Sequence, residues 1–333
     1  MDRAIIVDRL TKNFVVTKKR SGLVGSLSSL ISPEKKLVRA LNRVSFSIRE
    51  GELVSLIGPN GAGKTTIMKI LSGILFPTDG FVSVMGYTPS ERREEFLRKI
   101  SLVMGSKNQL WWDLPAIETL ELNRAIYNIP KGVYKKNLDE LCGILDVYDL
   151  LSIRVRKLSL GQRMKFELIA SLLHNPEIVF MDEPTIGLDI IAQKKLRDFI
   201  SDYNRLRGAT IVFTSHNMGD VVNLSKRVIV IAEGRIIFDG GFSELVAKYA
   251  SLKTIKIYLS REIDYKKLEE FGEVKKINFP EVTIVTPRSV SKVAAAELLQ
   301  NFPINDLTIE EENIDDVISR VFRSKTRISV KRK

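Results

Sequence analysis

The sequence predicts an α/β domain over residues 1–250 with an all-helical insertion. A small α+β domain of ferredoxin-like order follows over 251–322, then a basic tail over 323–333. Three observations predict this. Apolar runs of strand length alternate with helical stretches, and several end in polar groups: 53–57 leads into a glycine-rich turn, 178–181 into Asp182-Glu183, and 210–214 into Ser215-His216. Such groups at the carboxyl ends of parallel strands lie where open α/β sheets hold ligands. From about 107 to 157 the strand signals vanish, and helical patterns at 117–127 and 134–145 flank Pro130-Lys131-Gly132. From Leu252 the order strand, helix, strand, strand, helix, strand starts afresh.

The glycine-rich turn reads Gly58-Pro59-Asn60-Gly61-Ala62-Gly63-Lys64-Thr65-Thr66. Its glycines let the backbone fold tightly, so that successive N–H groups line one concavity fit for phosphate oxygens. The helix predicted over 65–71 adds its positive N-terminal end. Lys64 would reach the β- and γ-phosphates, and the Thr65 hydroxyl would complete a Mg²⁺ shell. Glycine-rich strand-to-helix turns also occur without a ligand, but the full G-x-x-x-x-G-K-T pattern in this context points to a nucleoside triphosphate.

Composition narrows the setting. No run of roughly 18 apolar residues occurs, so no membrane-spanning helix is expected. The start Met1-Asp2-Arg3-Ala4 lacks a leader pattern and Cys142 is the only cysteine, so a cytoplasmic location is expected. The net charge of +12 invites a nucleic-acid reading, but seven of those charges sit in the last fourteen residues, which leaves +5. That remainder suits an anionic membrane surface as well as nucleic acid, and no specific nucleic acid is expected.

In chain order, strands are expected at 4–7 and 10–16, with Phe14 either stacking on a base or packed in the core. Residues 17–39 form a basic insertion in which Leu23, Leu27 and Leu30 share one helical face. It suits a membrane surface, a partner protein or a solvated loop. Strands follow at 44–48 and 81–85, a charged helix at 90–99 and a strand at 100–104. The helical insertion opens on Gln109-Leu110-Trp111-Trp112-Asp113-Leu114-Pro115, which holds both tryptophans of the chain. Adjacent tryptophans are good interface anchors and are hard to bury together. Ser159 is placed to cap a helix over 163–174. Further helices are expected from Asp189 to Leu206, then over 264–271, 290–299 and 314–322.

The polar strand ends combine into one site. Asp182 would hold Mg²⁺ directly or through water, and Glu183 would act as base for the water attacking the γ-phosphate. His216 would contact that phosphate. Ser159 and Gly161, at a helix N-terminus, would aim hydroxyl, N–H and dipole at a γ-phosphate. His174 is assigned no role.

The order of phosphate loop, helical insert, Leu158-Ser159-Leu160-Gly161-Gln162, Asp182-Glu183 and Thr214-Ser215-His216 resembles the ABC ATPase cassette over about residues 4–245. The resemblance implies the P-loop NTPase fold of that cassette, ATP and Mg²⁺ as cofactors, and two cassettes paired head to tail with each nucleotide between the loop of one and the signature of the other. It adds Gln162 and Asp189 to the nucleotide contacts and implies a second cassette, identical or paralogous, as partner. The usual signature L-S-G-G-Q has Leu160 in place of a glycine. The family's metal-contacting glutamine aligns with Ser106, with Gln109 as substitute.

The tryptophan segment and basic insertion are similar to those of ATPase subunits of ABC-2 type exporters of drugs or toxic compounds, with a fainter likeness to polysaccharide export. This implies permease subunits as partners and a peripheral position on the inner face of the cell membrane. The rival class is a non-transport ABC ATPase acting on nucleic acid or ribosomes. It is disfavoured by the single cassette and the short interval between loop and signature. The absence of an N-K-x-D stretch argues against a GTPase.

Overall fold

The computed structural model describes residues 2–18, 34–105, 109–215, 217–312 and 317. The chain forms two compact units, Met1–Gly240 and Gly241–Lys333.

The first unit is built on a six-stranded sheet ordered β5-β6-β7-β3-β8-β9. These strands are β3 (Leu53–Ile57), β5 (Ile100–Met104), β6 (Ile178–Asp182), β7 (Thr210–Thr214), β8 (Arg227–Ala232) and β9 (Arg235–Gly241). The five from β5 to β8 run parallel. All residues of β6 and β7 are buried, which is why they read as unbroken apolar runs rather than alternations. Five helices pack around this sheet or form the insertion: α1 (Lys64–Leu71), α3 (Ala116–Ile126), α4 (Lys131–Leu145), α5 (Leu160–Leu172) and α6 (Ile190–Arg207). A short helix α2 (Glu94–Leu97) precedes β5, and α7 (Met218–Leu224) lies between β7 and β8.

A second, antiparallel sheet has the order β2-β1-β4, with β1 (Arg3–Lys18), β2 (Glu34–Arg49) and β4 (Asp79–Val84). The two strands expected at 4–7 and 10–16 are one. The β1–β2 register shifts between Val7 and Leu10, where Arg9 sits at φ 47°, and this bulge breaks the alternation that marks a strand. Thr17, Lys18 and residues 34–39 also belong to this ribbon, so the expected insertion begins and ends in strand. Leu23, Leu27 and Leu30 lie outside the described residues. The charged helix expected over 90–99 is a 3-10 turn (Pro89–Glu91) and one turn of α2, separated by Arg92 in the left-handed region (φ 51°).

The second unit holds α8 (Phe242–Tyr249) and an antiparallel sheet ordered β11-β12-β10-β13. Its strands are β10 (Leu252–Leu259), β11 (Glu273–Asn278), β12 (Glu281–Pro287) and β13 (Ile304–Glu311). With the first strand between the third and fourth, this is the ferredoxin-like order. Helix α9 (Ser291–Asn301) packs on a core of Ile255, Ile257, Val282, Ile284 and Leu298. The helix expected over 264–271 is a 3-10 helix, Tyr265–Phe271. That expected over 314–322 lies outside the described residues apart from Val317.

Candidate active site

The loop after β3 is wedged where only glycine fits. A Cβ on Gly58 would sit 2.2 Å from the Ile231 carbonyl oxygen, and one on Gly63 (φ 111°) would sit 2.6 Å from Leu41 and 2.9 Å from the Ala40 carbonyl. At Gly61 (φ 79°) a Cβ would meet nothing within 4 Å, so the loop opens outward there. Ala62 N–H donates to the Pro59 carbonyl and Gly234 N–H to that of Ala62, which pins the turn from within and from the start of β9. Lys64 is buried and donates from Nζ to the carbonyls of Gly58 (2.7 Å) and Pro59 (3.2 Å). Burial pushes its ammonium pKa down, while Glu183 and Asp182 pull it back up.

β6 and β7 bring the acidic pair to this loop. Asp182 is buried; its Oδ2 accepts from the Thr65 hydroxyl and its Oδ1 from the Thr214 hydroxyl, both at 2.7 Å. The chain turns sharply at Glu183, which has a left-handed backbone (φ 54°) and an N–H donated to Thr214 Oγ1 at 3.0 Å. Gly105, just past β5, lies against this turn. Its N–H donates to the Asp182 carbonyl at 2.9 Å, and a Cβ there would meet the Glu183 carbonyl oxygen at 2.1 Å. A hydroxyl and a carboxylate already in contact are hard oxygen donors of the kind Mg²⁺ prefers, and the backbone-lined loop suits a triphosphate, so the residues present fit both groups.

Behind the pair, Asp220 is fully buried and gathers Thr185 Oγ1 (2.7 Å), Ser215 Oγ (2.9 Å) and Arg197 Nη1 (2.6 Å). It thereby ties the turn after Glu183 to the end of β7. His216 and Ser106 lie outside the described residues.

Ser159 caps α5, which starts at Leu160 rather than Arg163. Gln162 N–H donates to Ser159 Oγ (3.2 Å) and Ser159 N–H donates to Gln162 Oε1 (2.9 Å), a reciprocal capping box. Asp189 caps α6 through the Ala192 N–H. Phe14 is half-buried on β1 opposite Val38, outside the core clusters, with the Lys12 ammonium 5.1 Å from its ring centre. Asn60 lies in the turn of the loop, and Thr66 lies in the first turn of α1.

Among the described residues, no hydrogen bond joins Gln109 to the acidic pair. Its Nε2 donates to the Leu102 carbonyl on β5 (2.8 Å), so the amide expected at the metal is engaged with strand backbone instead. Both tryptophans are exposed, Trp111 by 55% and Trp112 by 45%. A polar cleft of about 750 Å³, lined by Arg39, Arg43 and Arg235 among others, shares no residue with the phosphate loop.

Sequence reasoning missed Gly105, Thr214 and Asp220. A glycine directly after a predicted strand was a usable signal for close backbone approach. Thr214 and Asp220 gave none, since a threonine in a β-branched strand and an aspartate in a helix are ordinary.

Residues 41–186 match the ABC transporter family, and residues 251–310 match the EvrA-like ABC transporter C-terminal domain. The ABC transporter ATP-binding protein NatA of Bacillus subtilis is 32% identical over 228 residues, covering 68% of this chain and 92% of NatA. The bacitracin transport ATP-binding protein BcrA of Bacillus licheniformis is 31% identical over 223 residues, covering 67% and 71%. Among solved structures, a dimeric ATP-binding cassette bound to ADP and Pi superposes with a TM-score of 0.59 at 24% identity, over 71% of this chain and 98% of that one. With a phosphate loop, an acidic pair and a signature helix on the same fold, the chain belongs to the ATP-binding subunits of ABC transporters and is an ABC-type ATPase.

Proposed function

We propose that this chain powers export through separate membrane permease subunits, working as a pair of cassettes on the inner face of a cell membrane. The observation that carries this is the contact of Thr65 with Asp182 at 2.7 Å, which joins phosphate loop and acidic pair into one half-site. Among the described residues, no hydrogen bond joins Ser159 or Gly161 to that loop, so a second chain would supply the signature half. In this reading the loop N–H groups and Lys64 hold the phosphates, Thr65 and Asp182 hold Mg²⁺, and Glu183 orients and deprotonates the attacking water. Phe14 would lie against the base.

The exposed tryptophans support a membrane partner. A groove of about 540 Å³, to whose lining the same segment contributes Gln109, is also lined by Ile74, Leu97, Leu102, Met104 and Ile126. A helix of a permease subunit would seat there, anchored by Trp111 and Trp112. The names of BcrA and of the linearmycin resistance protein LnrL of Bacillus subtilis favour a drug-like cargo and export. No helix among the described residues is long and apolar enough to cross a membrane.

Glu183→Gln tests the reading. It should bind ATP, lose about 10²–10⁴-fold in phosphate release, and run as a dimer on a sizing column only with Mg²⁺ and ATP. Undiminished hydrolysis would remove Glu183 as base. A variant that stays monomeric with ATP would refute the paired site.

A further inference from the structure

The signature helix α5 and the tryptophan segment are joined by side chains that the half-site does not use. Arg163 and Glu167 are four residues apart, hence on one face of α5. The Arg163 guanidinium lies over the Trp112 ring, 4.9 Å from its centre. Glu167 is buried, and its Oε1 accepts from the backbone N–H of Gln109 (2.7 Å) and of Leu110 (3.2 Å). Its Oε2 is buried with no hydrogen-bond partner. A carboxylate kept at such a place is costly to bury. Burial pushes its pKa up, opposed by the two N–H groups and by Arg163.

The backbone repeats the connection. The residues that lead into Ser159 strap the same segment: Val155 N–H donates to the Leu114 carbonyl and Arg156 N–H to that of Trp112, each at 3.0 Å. Trp111 N–H donates to Thr119 Oγ1 on α3. Among the described residues, the Gln109 side chain alone makes a hydrogen bond from this segment back to the parallel sheet. The tryptophans are therefore held chiefly by the body that carries Ser159.

We infer that Arg163 and Glu167 are positioning residues that lock the Trp111–Trp112 segment to the signature helix, so that a nucleotide engaging Ser159 across the dimer displaces the tryptophans with it. This rests on the paired-site reading above. Neither residue is among those assigned to the nucleotide; both set where the exposed anchor stands when the signature is engaged.

The chain contains two tryptophans, so its own fluorescence reports the motion. In a Glu183→Gln background, Trp111→Phe leaves Trp112 as the sole indole. Addition of Mg²⁺ and ATP should both dimerise this protein and change the Trp112 emission. Arg163→Met should dimerise and lose the ATP-dependent change, whereas Arg163→Lys should keep it. Glu167→Leu, which strands two N–H groups, should lose it, and Glu167→Gln, which retains an acceptor, should keep it. If Glu167→Leu fails to fold, the Arg163 pair still decides. A dimer with unmoved Trp112 emission, or a full change in Arg163→Met, would overturn the inference. Failure to dimerise with ATP would overturn the paired site itself, and this inference with it.

Discussion

Gly105→Ala isolates the geometry of the acidic pair from its chemistry. The added methyl would stand 2.1 Å from the Glu183 carbonyl oxygen and 2.9 Å from its carbonyl carbon. Ordinary contact is ~3.5 Å, so a gap of about 1.4 Å must open between the end of β5 and the turn at Glu183. Neither side is the end of a flexible side chain. Glu183 is already held in the left-handed region (φ 54°), a strained position for a residue with a Cβ, and Gly105 is tied by its N–H to the Asp182 carbonyl. Overpacking of this kind costs about 1–3 kcal/mol, which a domain of this size survives. Catalysis should suffer more, because a 1 Å misplacement of a catalytic group can cost about 10²-fold. The assays are steady-state phosphate release and urea denaturation, with nucleotide binding as the control, since the phosphate loop is untouched. A folded Gly105→Ala with the parent kcat would refute the claim that this glycine sets the position of Glu183.

Other perturbations separate neighbouring contributions. Asp220→Ala removes the carboxylate that gathers Thr185, Ser215 and Arg197, leaves Arg197 without it, and should cost about 3–5 kcal/mol in urea denaturation; a loss below 1 kcal/mol would show the cluster relaxing. His174 donates from Nε2 to the Ile100 carbonyl, stacks 3.9 Å from Tyr127, and has a buried Nδ1 with no partner. Burial lowers its pKa from 6.5, so the stability it contributes is full above that pH and is lost as pH falls through the lowered folded value. Denaturation at pH 7.5 and 5.5 should show a smaller acid loss in His174→Gln than in the parent. Ser159→Asp keeps a good helix cap but sets a negative charge where a γ-phosphate would lie; unfolding should be nearly unchanged and the ATP-dependent dimer lost, and a persisting dimer would refute contact at Ser159.

The sheet was largely legible because its chemistry is local. Strands 100–104 and 210–214 have the expected bounds, since each is an apolar run closed by a turn signal, Gly105 in one case and Ser215 in the other. The phosphate loop and the Asp182-Glu183 pair were legible for the same reason. What escaped depends on neighbours remote in sequence. Thr214 meets Asp182 across 32 positions and Glu167 meets Gln109 across 58. Glu167 has the composition of a solvated helix charge, and only the fold shows that it is buried under the tryptophan segment. The side-chain bond of Gln109 to the Leu102 carbonyl was illegible on the same ground, because Gln109 is held from the far side by Glu167, 58 positions away.

The signature segment shows how a motif can carry local and external demands at once. Ser159 and Gln162 satisfy each other as a capping box, and Asp189 caps the next helix, so these residue types have reasons inside their own chain. Gly161 has none. Its backbone is not in the left-handed region, and a Cβ there would meet Ala192 at 3.7 Å and Leu188 at 4.0 Å, both ordinary contacts. Glycine within a helix costs roughly 1 kcal/mol relative to alanine. A residue that weakens its own helix without easing any contact in its own chain is best explained by something that must approach the backbone from outside. Of the four signature positions from 159 to 162, Gly161 is therefore the one whose identity argues most directly for a second chain's nucleotide.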